Sequence, residues 1–451
     1  MTKHKNVLYK ILSWYKKFQV SKSPQMNLVW GFFLYTVIGF LLLSIPIFHK
    51  TSVSFLDTLF ISTSAISTTG LVTVSVYDSY NFFGQLIVMV LFQIGGIGYM
   101  TLTTYYLLFT TQKIGHWHKK VVGAEFTLPK TIKIRDFVKS VIVFTLIMEV
   151  IGAICFFIAF RQTGMETLKA VWFSVFHSVS AFCTAGFGLF NNSFESYSSN
   201  ALINTIISVL AIAGSLGFIV ITDLWYRITG KSNSVSFTTK IITYGFVILL
   251  FLGTTLVYFT EPSIRSSDSR LVESFFQAMT AMTTVGFNTI STGNLSLPIL
   301  LFVTFLMYIG ASPSGTAGGM KITTLTAMIS ILKSRLFGQK RISFLNRTIP
   351  FERLYVATST FMMYTSIIFL FTFLLTFTER FEFQRILFEV ASALGTVGLS
   401  TGITGDLSNT GKALTIVLMF IGRVGVLTFG FALLERKNKS KEESIEDDLA
   451  V

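Results

Sequence analysis

Four short segments of this chain carry the same residue types at the same spacing. Aligned on a glycine, they read FISTSAISTTGL (60–71), FHSVSAFCTAGF (176–187), FQAMTAMTTVGF (276–287) and FEVASALGTVGL (388–399). Each copy runs Phe, Ser or Thr four residues on, Ala next, Thr three later, Gly two later, then Leu or Phe. Thr68-Thr69-Gly70, Thr184-Ala185-Gly186, Thr284-Val285-Gly286 and Thr396-Val397-Gly398 are therefore matched. Glycine adopts backbone angles closed to other residues and lets a carbonyl approach a ligand unobstructed. A helix that ends on such a triplet aims its negative C-terminal end at the same point, which favours a cation. Potassium filters replace an ion's water with rings of carbonyls from Thr-Val-Gly-Tyr-Gly loops. The third and fourth copies reproduce the first half of that pattern, and none has the second glycine. The chemistry to expect is cation coordination by backbone oxygen, in a filter shorter than that of a potassium channel.

The composition supplies the medium. Of 451 residues, 51% are hydrophobic and 13% charged, with mean hydropathy +0.65. Soluble domains carry about 25% charged residues, so the chain falls in the membrane class. Cys155 and Cys183 both lie in apolar runs and indicate neither a disulfide framework nor a metal site. His116 and His118 stand in a basic loop without further ligands. No catalytic triad, zinc cluster or carboxylate pair is apparent, so an enzyme is not expected.

Stretches long enough to cross ~30 Å of hydrocarbon, about 20 residues each, fall in pairs near 28–48 and 83–110, 138–160 and 202–226, 240–260 and 297–309, and 354–377 and 411–434. The third pair has a broken continuation. Each repeated segment lies between the members of a pair and, at about 18 Å as a helix, is too short to cross. It reads as a re-entrant pore helix. The predicted fold is an all-α polytopic membrane protein: four parallel helix–pore helix–helix repeats in pseudo-fourfold arrangement around one pore, with eight spans. The boundaries are an amphipathic interfacial N-terminus (1–27), repeats at 28–111, 138–227, 240–333 and 354–434, and a tail at 435–451. The N-terminal stretch shows no unbroken apolar core or cleavage site of a signal peptide. It reads as a helix on the membrane surface.

On the side shared by both termini stand 26 Lys and Arg, against eight on the other. The positive-inside rule places both termini in the cytoplasm. The net charge of +14 is thus a topology signal and requires no nucleic acid. Only Lys321 and Arg423 fall within membrane segments.

A second period follows 24 to 28 residues after each glycine: Gly95-Gly96-Ile97-Gly98, Gly214-Ser215-Leu216-Gly217, Gly310-Ala311-Ser312-Pro313 and Gly422-Arg423-Val424-Gly425. Small residues here permit close helix packing or widen a pore. In the third copy, Gly310 to Gly319 cannot continue as a helix, because Pro313 and the glycines at 310, 315, 318 and 319 break it. Such a break at membrane depth lines water or is buried in protein. Gly310, Ser312, Pro313, Ser314, Gly315, Thr316, Gly318 and Gly319 are expected to form a mobile plug below the filter, followed by Lys321. The spacing to that lysine is not that of a phosphate-binding loop. Arg423 aligns with the start of this loop, and an intramembrane cation is a functional hypothesis by default. It is expected to face the pore inside the filter, hydrogen-bond loop carbonyls and raise a barrier to cations. Glu149 either pairs with a neighbouring helix or lines a crevice. Asp57, Glu273 and Glu389 sit near the outer ends of the pore helices, as mouth charges or helix-dipole contacts.

With these motifs in hand, the chain resembles the ion-translocating subunits of bacterial Ktr potassium-uptake systems in the Trk/Ktr/HKT superfamily. The resemblance covers about residues 28–434 and rests on the four Thr-x-Gly triplets, the third-repeat loop and Arg423. It implies potassium uptake across a bacterial plasma membrane, often dependent on sodium, by a homodimer with a separate pore in each protomer. It also implies a cytosolic RCK-type ring of the KtrA or KtrC kind as partner, which binds ATP or ADP and gates the pore from beneath. Nucleotide is therefore expected on the partner and not on this chain. In plant members a serine at the first filter glycine accompanies sodium transport, so Gly70 favours potassium. A sodium-permeable or weakly selective cation pathway is the alternative. An alternating-access solute transporter is disfavoured by parallel repeats and by the lack of a midplane acid–base cluster.

Overall fold

The computed structural model describes residues 23–98, 101 and 134–434. The N-terminal surface helix, the histidine-bearing loop, the far end of the second predicted span and the C-terminal tail lie outside the described residues.

The helices of eight or more residues, in chain order, are α1 (Pro24–Leu43), α2 (Phe55–Ile66), α3 (Phe82–Ile97), α4 (Ile134–Gln162), α5 (Thr167–Phe182), α6 (Ala201–Ile228) and α7 (Phe237–Thr260). There follow α8 (Arg270–Thr283), α9 (Leu297–Tyr308), α10 (Ile322–Leu336), α11 (Phe351–Thr378), α12 (Phe383–Gly395), α13 (Asn409–Val424) and α14 (Val426–Leu433). Five of them, α1, α4, α6, α7 and α11, are long and apolar enough to cross a membrane.

Local chemistry sets the helix starts. Ser23 caps α1, with its Oγ accepting from Met26 N at 3.2 Å and Pro24 in the first turn. The first helix therefore begins inside the stretch read as the N-terminal segment. Asn200 caps α6, Ser236 caps α7 and Ser408 caps α13 through the same contact to the third residue on. Each such cap is worth about 1 kcal/mol, and more where water is scarce.

The outside is apolar, unlike that of a water-soluble protein. Phe369 and Phe377 on α11 are 75% and 74% exposed, and Leu146, Val150, Ile154 and Ile158 line the outside of α4. The centre instead buries Ser62, Thr63, Ser64, Thr68 and Thr69 with their counterparts. A broad apolar exterior, with polar side chains gathered at the centre, is what a lipid-solvated protein requires.

The four short helices α2, α5, α8 and α12 occupy that interior. Each packs between the helices that flank it in sequence. In addition, α3 touches α5, α6 touches α8, α9 touches α12, and α13 returns to α2. These contacts close a circle.

Three expected spans are interrupted. Over 411–434, α13 and α14 meet at 99° across Gly425, whose φ of +91° is barred to other residues. Arg423 thus lies in the last turn before a break, not in the middle of a straight span. The small-residue motif also does more than pack helices: Gly98 ends α3 at φ +85°, and Gly217 breaks α6 at φ +85°.

Candidate functional site

Each short helix ends the same way. Thr68, Thr184, Thr284 and Thr396 all take left-handed φ, between +47° and +54°, and the glycines two residues later have φ from +67° to +90°. A β-branched residue in that region is an outlier that its surroundings must hold. The motif supplies the hold. The four Thr N–H groups donate to Ala65, Ala181, Ala281 and Ala393 O at 3.0–3.3 Å. The next N–H donates to Ser64, Ser180, Thr280 and Ser392 O at 2.8–3.2 Å. The hydroxyls of these four residues brace the triplet as well. Ser64 and Ser392 accept from Gly70 and Gly398 N at 3.1 Å, while Ser180 and Thr280 donate to Phe187 and Phe287 O at 2.8 and 2.6 Å. The invariant Ser/Thr-Ala pair is thus the clamp that fixes the turn. Its role was not assigned from sequence, although the repeat displayed it.

The triplets meet one another in a ring. A methyl group on Gly70 would lie 2.5 Å from Ala185 O, and one on Gly186 2.6 Å from Val285 O. On Gly286 it would lie 2.1 Å from Val397 O, and on Gly398 2.2 Å from Thr69 O. Each glycine faces the carbonyl that precedes the next glycine, and the fourth returns to the first. All of Thr68, Thr69, Thr184, Ala185, Thr284, Val285, Thr396 and Val397 are buried. The structure brings the twelve sequence-chosen residues together at the convergent C-terminal ends of four helices. This is an arrangement of backbone oxygen and negative helix ends suited to a dehydrated cation.

The loop from 310 to 319 lies against the threonine side of this ring. Its neck is closed by a two-residue parallel pairing, β1 (Ile309–Gly310) with β2 (Met320–Lys321). Thr316 Oγ1 accepts from Thr184 Oγ1 at 3.1 Å, and Gly318 N donates to Thr284 Oγ1 at 3.0 Å. A methyl group on Gly318 would lie 2.1 Å from Thr396 Oγ1. The loop also fills the break in α6. Ser312 N and Thr316 N donate to Ser215 and Gly214 O, whereas Phe218 N and Ile219 N donate to Ser314 O and Oγ. Groups freed by Gly217 are thereby satisfied by the loop, as buried backbone requires. Ser312, Ser314 and Thr316 are fully buried.

Both intramembrane cations hold this loop. Arg423 Nη1 donates to Thr316 O at 2.8 Å and to Thr68 Oγ1 at 2.9 Å. Its Nη2 donates to Gly95 O and, at 3.3 Å, to Gly96 O. Lys321 Nζ donates to Ala317 and Gly318 O at 2.6 and 2.7 Å. Beneath them opens a cavity of roughly 680 Å³, lined by Lys321, Arg353 and Arg423 and, among the described residues, by no carboxylate.

Comparison with known proteins shows the family. A family model described as TrkH, cation transport protein, matches residues 8–443. The chain belongs to the TrkH family. Ktr system potassium uptake protein B of Bacillus subtilis is 34% identical to it, with 95% of this chain and 96% of that one covered. Potassium/sodium uptake protein NtpJ of Enterococcus hirae is also 34% identical, over 95% and 98%. The crystal structure of the potassium transporter TrkH from Vibrio parahaemolyticus superimposes with TM-score 0.73 at 19% identity, covering 92% of this chain and 86% of that one. That likeness establishes a TrkH fold.

Within this TrkH-family chain, the first glycine of each Gly-x-x-Gly motif has a packing role that sequence left open. A methyl group on Gly95, Gly214 or Gly422 would meet Ile66, Phe182 or Leu394 O at 2.0–2.2 Å. The returning helix thus rests directly on the end of the short helix. Glu149 pairs with a neighbouring helix: its Oε2 accepts from Gln93 Nε2 at 3.1 Å. Asp57, in the first turn of α2, forms an ion pair with Lys412 at 2.8 Å. Glu389 is not at the outer end of α12 but well inside it, buried against the loop that follows Gly398.

Proposed function

We propose that this chain is the ion-translocating subunit of a Ktr-type system for potassium uptake across a bacterial plasma membrane. The observation that carries the reading is the closed ring in which Gly70, Gly186, Gly286 and Gly398 each face the next segment's carbonyl. In this reading the four triplets are the selectivity filter, at the centre of four parallel repeats that cross eight times with both termini cytoplasmic. The 310–319 loop is the gate. It engages filter threonines and is pinned by Arg423 and Lys321, whose charges oppose cation entry from below. At about 2.3 kcal/mol per charge per 100 mV, an inside-negative potential drives accumulation without hydrolysis at the pore. Nucleotide then acts on a cytosolic RCK-type ring, and two protomers, each with its own pore, form a homodimer. Sodium enters as an activator.

One relative is named a potassium/sodium uptake protein, which favours a sodium-permeable pathway as the second reading. Rubidium uptake in bacteria lacking their own potassium uptake systems, with and without sodium, separates the two. Uptake that competes with potassium and weakens in Gly286→Ser supports the filter. Equal uptake of sodium and potassium, unchanged in that variant, overturns its selectivity.

A further inference from the structure

The residue after the leading phenylalanine differs in every copy of the repeat: Ile61, His177, Gln277 and Glu389. In two copies it braces the chain leaving the filter. His177 Nε2 accepts from Leu189 N at 3.1 Å, three residues past Gly186. Glu389 Oε1 accepts from Thr401 N at 3.1 Å, three past Gly398, and its Oε2 accepts from Thr404 Oγ1 at 3.0 Å, six past. The same register in the third copy names Thr289 and Thr292. Gln277 is fully buried and both threonines are 2% exposed. Yet Gln277 Nε2 and Oε1, Thr289 Oγ1 and Thr292 Oγ1 have no partner among the described residues. A 3-10 turn at Thr292–Asn294 stands here, where the fourth copy has a turn closed by Asp406 N donating to Ile403 O at 3.1 Å.

Four orphaned buried polar atoms at equivalent positions need a ligand, because buried polar groups are nearly always bonded. Their chemistry selects it. Nε2 only donates, Oε1 only accepts, and the hydroxyls do both. A cation would leave Nε2 unmet, whereas water satisfies every one of them and characteristically makes about three such bonds. We propose that Gln277, Thr289 and Thr292 hold bridging water behind the third filter segment. Through it, Gln277 acts as a specificity-determining positioning residue for Gly286. The inference rests on the filter reading above.

The test is a structure of the whole protein in lipid nanodiscs at a resolution that shows ordered water, with rubidium-versus-sodium competition in proteoliposomes for Gln277→Leu, Gln277→Glu and Gly286→Ser. The expected result is discrete water density joining the three side chains. Gln277→Leu should reduce rubidium preference by about three- to ten-fold, as unsatisfied hydroxyls let the segment relax. Gln277→Glu, which copies the fourth repeat, should stay within about two-fold of the parent. Direct contact between Gln277 and the threonines without water overturns the proposal. So does a folded Gln277→Leu protein with parental preference while Gly286→Ser loses it. If Gln277→Leu does not fold, loss of preference in Gln277→Glu overturns it. Unchanged preference in all three variants sinks the filter reading itself.

Discussion

Gly286 has no room for a side chain, since a Cβ there would sit 2.1 Å from Val397 O and 3.0 Å from Gly398 Cα. Both are backbone atoms that cannot swing aside. Gly286→Ala should therefore cut rubidium uptake at least about ten-fold, equivalent to ~1.4 kcal/mol, measured as initial rate per molecule of protein at the membrane. Arg423 acts at the same scale and in the opposite sense. Its guanidinium donates to Thr316 O, Thr68 Oγ1 and two carbonyls of α3 at once. Arg423→Gln should raise cation flux in the absence of any partner subunit. Arg423→Lys should do nearly the same, because an ammonium lacks the planar fork that spans several acceptors. Parental flux in both variants would remove Arg423 from the gate.

At the scale of elements, the loop from 310 to 319 is held by the break in α6, by hydroxyls at the ends of the short helices and by Arg423 and Lys321. Shortening it should raise unregulated flux while leaving the rubidium preference intact, because the clamp of Ser64, Ser180, Thr280 and Ser392 does not pass through it. Flux equal to the parent in the shortened protein would exclude the plug. A second element-scale device joins helix ends outside the spans. Glu261, which follows α7, accepts from Ser263 N at 3.0 Å and from Ser296 N and Oγ at 3.0 and 2.8 Å. Burial pushes its carboxyl up, and these hydrogen bonds outweigh that and hold it below the ordinary carboxylate value. A lowered pKa contributes stability that is present above the unfolded-state value and is lost as pH falls through the folded one. Glu261→Gln should therefore melt earlier than the parent at neutral pH, with the gap closing under acid. Thermal unfolding in detergent across that range measures it.

For the whole molecule, the ring closes only where the fourth repeat meets the first. Lys412 Nζ and Asp57 Oδ1 lie 2.8 Å apart at that seam, both largely buried. Removing one partner leaves a poorly solvated charge, so Lys412→Met should destabilise the protein by about 1–3 kcal/mol. Lys412→Met with Asp57→Asn should recover part of the loss, read as a double-mutant cycle in thermal melts. Additive losses would show that the pair does not close the ring.

Sequence by itself determined the repeat, the re-entrant length of its short helices and the membrane class, because each is a matter of residue type and spacing along one chain. Residues Thr68 to Gly70 and their counterparts were legible as the ends of the short helices for the same reason, because glycine marks where backbone can come close, whereas the left-handed threonine and the clamp that holds it were not. What only the tertiary structure decided concerns contacts between segments far apart in sequence. Gly217 and Gly425 could be read as packing glycines, and only folding makes them breaks, one filled by the 310–319 loop and the other bending α13 from α14. Glu389 looked like a mouth charge or a helix-dipole contact until the helix register buried it against Thr401 and Thr404. The ring itself is a tertiary fact, because each glycine's partner is the carbonyl of the next repeat. No local pattern states which surface will face which.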